Sequence, residues 1–328
     1  MWLVAQGSML LTFAALIVGL FVRPDITLDI LWYVLIPVLP ATFLVSTALW
    51  RGVCPLATLN MLASRQRDLT LTRGWTTKTA AVGIGLLFVM VPARHLIFNT
   101  SSVWLGLTMT AVALLAFGLG LVVRAKGGFC NSICPLLPVE KLYGQAPLIS
   151  VPNPRCSPCM LCTAKGCLDL DPSKSLRAAL GNSTTVRDWI RTPFGLFAAA
   201  FPGFILGYFQ VGDVATTHWY VAYGIVFSFS LGSLMLSAFL AAALRLSTHR
   251  LFPVLGAVAV GIYYWYAAPA SLAAFDLPGG ILLRWVLMAF VAIWLAHALR
   301  RTDLPPSRHR PRSARPAALR AAAGPAPR

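Results

Sequence analysis

The densest chemistry in this chain is a run of cysteines, Cys156-Ser-Pro-Cys159-Met-Leu-Cys162-Thr-Ala-Lys-Gly-Cys167, spaced C-x2-C-x2-C-x4-C. Three thiolates at that interval wrap a loop around one corner of a cubane and reach three irons, as in a ferredoxin loop holding a [4Fe–4S] cluster. Zinc is the competing metal, because four thiolates also close a tetrahedral site. Zinc sites usually join two separated C-x2-C knuckles, so the compact triple cysteine favours iron and sulfide. The bland reading is a set of unligated thiols.

A second group precedes it, Cys130-Asn-Ser-Ile-Cys134-Pro135. C-x3-C-P is the closing half of a bacterial ferredoxin motif, in which the cysteine before proline reaches across to the other cluster. Cys134 therefore competes with Cys167 as the fourth ligand of the Cys156, Cys159, Cys162 site; the plain alternative is a loop with two unligated thiols. A third element, Trp50-Arg-Gly-Val-Cys54-Pro55, carries Trp50 where the first cysteine would stand. Both Cys-Pro elements follow an apolar run and lead into a short apolar stretch, 56–62 and 136–142. That symmetry predicts a degenerate internal repeat of two spans plus a Cys-Pro loop.

The elements that must position these cysteines are membrane helices. The 328 residues are 58% hydrophobic and only 11% charged, with a mean hydropathy of +0.73, more apolar surface than one soluble core needs. A helix crosses the hydrocarbon layer with about 20 apolar residues, and such runs fall near 3–22, 30–50, 80–98, 103–123, 193–211, 219–244, 251–268 and 280–299. The expected fold is an all-α polytopic membrane protein of about eight transmembrane helices, with a small ferredoxin-like iron–sulfur loop on the cytoplasmic side. The first run has no basic n-region and no convincing cleavage site, so it is read as a retained helix.

A net charge of +17 would suggest nucleic acid in a soluble protein, but the Lys and Arg residues lie between and after the apolar runs. That is the pattern of loops held at an anionic cytoplasmic leaflet, not of a face presented to a duplex. The segments after the second and fourth runs are rich in Lys and Arg, whereas 99–102 and 212–218 contain none. The cysteine loops and both termini are therefore expected on the cytoplasmic side of the cell inner membrane, where reducing conditions disfavour disulfides. The domains follow: helices 1 and 2 (1–50), a Cys-Pro loop (51–79), helices 3 and 4 (80–123), the iron–sulfur loop (124–192), helices 5 to 8 (193–299), and a basic tail (300–328) rich in Pro, Ala and Arg that is expected to be disordered.

Taken together, the paired C-x3-C-P-like loops after membrane helices and the ferredoxin-type cluster resemble the membrane iron–sulfur proteins of the NapH and NosR type, which include RdxA/CcoG and MauN-like proteins. The resemblance covers about residues 50–172, best from Gly128-Phe-Cys-Asn-Ser-Ile-Cys-Pro-Leu through Cys167. It implies electron transfer between the membrane quinol pool and a redox partner. By position, Cys130 and Cys134 match the family's second C-x3-C-P, Cys54 the second cysteine of the first, and Cys156, Cys159, Cys162 and Cys167 its ferredoxin motif. The chain departs in three places. Trp50 replaces a cysteine, Leu168 stands where Pro would follow the last ferredoxin cysteine, and that cysteine is one residue further on than usual. One cluster is expected rather than two, and the small NapH-like members are the nearer comparison.

Two histidines are suggestively placed. His95, near the outer end of the third run, and His218, before the sixth, fall on the same predicted side and could hydrogen-bond a quinone; haem is not expected, because no paired histidines share a helix. The plainer reading puts both in wet interfacial positions. Three functions compete: an electron-transfer protein serving quinol or a cytoplasmic donor and a respiratory or periplasmic partner; an accessory factor that reduces a metal or assembles a cofactor for another enzyme; and a binding or transport module with a structural cluster. No phosphate loop, dinucleotide fingerprint or Ser/His/Asp set occurs. Membrane lipid and unidentified redox proteins are the expected partners, and nucleic acid is not.

Overall fold

The computed structural model describes residues 2–64, 73–123, 128–149 and 183–303. Those residues are about 84% helical with no strand, as a lipid environment demands of a chain that must satisfy its backbone groups internally. The loop carrying Cys156, Cys159, Cys162 and Cys167, and the basic tail, lie outside the described residues. Among the described residues, seven helices are long and apolar enough to span a membrane: Trp2–Val22, Pro24–Ala63, Ser102–Val122, Pro193–Gln210, Thr216–Ala243, Thr248–Ala273 and Gly280–Arg301. This is a multi-pass membrane protein.

The elements are numbered here in chain order. Helix α1 (Trp2–Val22) is followed by α2 (Pro24–Asp29), a π-helical segment Ile30–Leu35, α3 (Ile36–Val53) and α4 (Pro55–Ala63). Next come α5 (Arg73–Met90), a π-helical turn Arg94–Phe98, α6 (Ser102–Val122), a π-helical turn Phe129–Ile133 and α7 (Leu137–Tyr143). The last set is α8 (Val186–Ile190), α9 (Pro193–Gln210), α10 (Trp219–Ala243), α11 (Thr248–Ala273) and α12 (Gly280–Asp303).

The third of the eight expected spans, 80–98, is not one helix. Its apolar helical part is Lys78–Met90, which at 1.5 Å per residue covers roughly 20 Å of a hydrocarbon layer about 30 Å thick. Pro92 supplies no amide hydrogen and stops α5, and the chain continues as the π-helical turn Arg94–Phe98. The second expected span, in contrast, extends well beyond 30–50 because α2 to α4 follow one another with little interruption.

The core centres on α9 and α11, which bury most of their length, whereas α1 and α12 turn mainly outward. Along α9, Phe197, Phe201 and Phe204 are buried, and Phe197 and Phe201 pack at 4.7 Å between ring centroids. Gly203 lets α10 lie directly on that helix, because a Cβ there would collide with the Phe229 carbonyl. Exposed Leu3, Leu11, Leu231, Phe239 and Ile293 clothe the outward surface, which suits lipid as the solvent.

One helix is interrupted inside the protein. Ser46 in α3 is extended, at φ −164° and ψ 107°, and both Ser46 and Thr47 are buried. The break exposes carbonyls that a continuous helix would occupy, and the chain beyond α7 fills them. Leu148 N–H donates to the Leu44 carbonyl (3.0 Å) and Ile149 N–H to that of Val45 (2.8 Å). Gly144 allows this approach, since its missing Cβ would strike Thr47.

Candidate functional site

Cys54 and Cys134 occupy equivalent joints. A residue before proline is pushed out of the helical region, and proline is well suited to the first turn of the next helix. Each cysteine accordingly ends one helical element and opens another, with φ −51°, ψ 125° at Cys54 and φ −59°, ψ 121° at Cys134. The Cys54 amide closes α3 on the Trp50 carbonyl (2.8 Å), and its own carbonyl receives Thr58 N–H (2.9 Å). The Cys134 amide closes the π-helical turn on the Phe129 carbonyl (3.1 Å), and Leu137 N–H donates to its carbonyl (3.1 Å). The two Cys-Pro elements thus share the same local backbone geometry.

The two joints are tied together by charge. Arg51 Nε donates to Glu140 Oε2 at 2.7 Å, with the side chains 5% and 7% exposed, and Arg51 Nη1 donates to Asn131 Oδ1 at 3.2 Å. Arg51 and Asn131 stand three residues before Cys54 and Cys134 respectively, so the same position of each repeat meets across the join. Helix α5 comes close as well: a Cβ on Gly83 would lie 3.0 Å from the Cys134 carbonyl oxygen. Burial, then Glu140, then Cys54 push the Cys134 thiol up to about 12, so this is a place where a thiolate needs a cation to form.

Cys54, Cys130 and Cys134 are thiols rather than disulfides and are half-buried. Among the described residues, no three His, Cys, Asp or Glu side chains converge closely enough to hold a metal ion. These three thiols do not make a metal site by themselves, and any cluster requires cysteines of the 156–167 loop. Both ends of that undescribed stretch, 150–182, are moored. Ile149 is bonded to α3 at its break, and the Ser183 carbonyl receives Thr248 N–H at the start of α11 (2.8 Å).

Searches against protein-family models, curated proteins and solved structures return no match to this chain. Its function is therefore argued from its own residues.

The two histidines part company. His95 Nδ1 is 2.8 Å from Asp213 Oδ1, and its ring packs on Tyr208 with centroids 4.6 Å apart. His218 is exposed and meets Thr217 Oγ1 (3.2 Å) and the Tyr220 ring instead. The sequence reading did not anticipate Arg51, Asn131, Glu140 or Asp213 as partners. One signal was present: Glu140 is the chain's one glutamate and sits inside the short apolar stretch 136–142, where a carboxylate needs a cation beside it.

Proposed function

We propose that this protein is a membrane-bound iron–sulfur electron carrier, passing electrons between the quinol pool or a cytoplasmic donor and a respiratory or periplasmic redox partner. Cys156, Cys159 and Cys162 bind one [4Fe–4S] cluster, with Cys167 or Cys134 as the fourth ligand; such a cluster supplies one-electron transfer. The observation that carries the reading is the C-x2-C-x2-C-x4-C run between two moored stems, one of them bonded to the helix that ends at Cys54. The protein's own part is to fix those stems and to hold the Cys-Pro joints through Arg51 and Glu140.

Anaerobic purification followed by iron and sulfide analysis and EPR tests this. About four irons and four sulfides per chain are expected, with the signal abolished by Cys156→Ala, Cys159→Ala or Cys162→Ala. Iron-free protein replete in zinc would reject it.

A further inference from the structure

A second polar cluster lies at the other end of α6 from the cysteines. Cys130 follows the C-terminal end of that helix and His95 precedes its start, so its 21 residues separate the two by about 31 Å of helical rise. The cluster is assembled by two π-helical segments, Ile30–Leu35 and Arg94–Phe98. Such segments are rare and mark functional positions with unusual frequency. The first brings Trp32 and Tyr33; the second brings Arg94 and His95.

Arg94 sits over the Trp32 ring at 4.4 Å and near Tyr33 at 5.8 Å. Its guanidinium donates to Asn99 Oδ1 (3.1 Å) and to the Tyr208 hydroxyl (2.8 Å). Asp213 Oδ1 receives Asn99 Nδ2 (2.9 Å) and faces His95 Nδ1. The Asp213 side chain is 54% exposed, whereas that of His95 is 14% exposed. A carboxylate only accepts, so the proton of a neutral His95 sits on Nδ1 and leaves the Nε2 lone pair pointing the other way.

Two polar atoms around Arg94 then stand out. His95 Nε2, an acceptor, and Trp32 Nε1–H, a donor, are both buried with no hydrogen-bond partner among the described residues. Leaving such groups unpaired away from water is costly. A ligand hydroxyl answers the first by donating to it, and a ligand oxygen answers the second by accepting from it. The flat surfaces of Trp32, Tyr33 and Tyr208 and the stacked guanidinium favour an aromatic ring as the body that carries them. The spans around the cluster are apolar, so a membrane-soluble ring suits its surroundings.

We infer that Trp32, Arg94, His95, Tyr208 and Asp213 form a binding site for the hydroxylated aromatic head of a membrane-soluble molecule of the hydroquinone class. His95 accepts the ring hydroxyl, and Asp213 fixes the histidine tautomer and connects it to the aqueous phase. The inference gives a location to the quinol of the proposed function but rests on different residues, and no electron step to the cysteines is assigned across the length of α6.

The test uses the full chain in phosphatidylcholine nanodiscs with 2-heptyl-4-hydroxyquinoline N-oxide as probe, followed by quenching of its fluorescence. Saturable binding of one probe per chain is expected, weakened at least about tenfold in His95→Phe and about fivefold in Trp32→Phe, which keeps a ring but removes the N–H donor. Tyr220→Phe, on the exposed stretch beside His218, is expected to bind as the parent does. Thermal unfolding of each variant identifies any that has lost its fold, and Trp32→Phe is the milder change on which the inference then stands. Absence of saturable binding to the parent, or parental affinity in folded His95→Phe and Trp32→Phe, overturns it. So does displacement of the probe by phosphatidylglycerol, which would mark a lipid-headgroup site. Iron and zinc measured on the same anaerobically prepared samples keep the two ideas apart: probe binding by iron-free, zinc-replete protein retains this site and rejects the iron–sulfur reading.

Discussion

Arg51→Met severs the ion pair that joins the two Cys-Pro joints, and its cost can be worked from the geometry. The pair is direct at 2.7 Å and both side chains are nearly buried, so Glu140 would be left as a carboxylate inside the protein. Removing one member of such a pair costs about 3–5 kcal/mol, and the lost bond to Asn131 argues for the upper half of that range. Replacing both residues, as Arg51→Met with Glu140→Leu, removes the stranded charge and is expected to recover about 2 kcal/mol or more relative to the sum of the single changes. Unfolding in detergent micelles, followed by circular dichroism, gives the three differences. A cost below about 1 kcal/mol for Arg51→Met, the scale of an exposed pair, would refute the claim that this contact holds the repeats together.

Three further outcomes are expected. Single Ala substitutions separate the fourth ligand: loss of the cluster in Cys167→Ala with occupancy kept in Cys134→Ala favours the compact loop, the reverse favours the cross-loop ligand, and full occupancy in both shows that neither is needed. Cysteine labelling in intact cells is expected to reach a site engineered after Asn99 and not one after Gly144; the opposite pattern would invert the orientation read from the basic residues. In iron-free protein, a Cys134 thiol pushed up to about 12 is about one part in 10,000 thiolate at pH 8, so iodoacetamide is expected to label it far more slowly than in the unfolded chain. The folded state keeps that proton where the unfolded thiol, near 9.0, gives it up. Its contribution to stability is therefore full below pH 9 and falls as the pH rises toward 12, which alkaline unfolding measures.

Much of the helical layout was readable because hydropathy over about 20 residues is a strong signal. The like bends at Cys54 and Cys134 were readable because a residue before proline is pushed out of the helical region wherever it occurs. The division of the third run was less visible, although Pro92 was in plain sight: proline kinks some membrane helices and ends others, and packing decides which. The break at Ser46 carried no local signal, since its backbone is rescued by Leu148 and Ile149 far along the chain. His95 was singled out as a histidine, yet Asp213, more than a hundred residues away, could only be paired with it once the fold brought the two links together. By residue type alone, Arg51 reads as one more basic residue of the segment after the second run. Its burial against Glu140 depends on long-range packing that residue type alone does not specify.

The interruption in α3 also constrains the order in which the protein can be made. In lipid, an unsatisfied backbone group costs several kcal/mol, and the residues that satisfy Leu44 and Val45 lie roughly 100 positions downstream. At about 5–20 residues per second, the ribosome delivers Leu148 and Ile149 several seconds after α3 has left it. The nascent helix must therefore enter the bilayer unbroken and open at Ser46 only when α7 and the stretch behind it arrive. The segment that carries Cys156 to Cys167 follows Ile149 in the chain, so its stem would be set in the same step that remodels α3. A chain truncated shortly before Leu148 is expected to retain a straight second span.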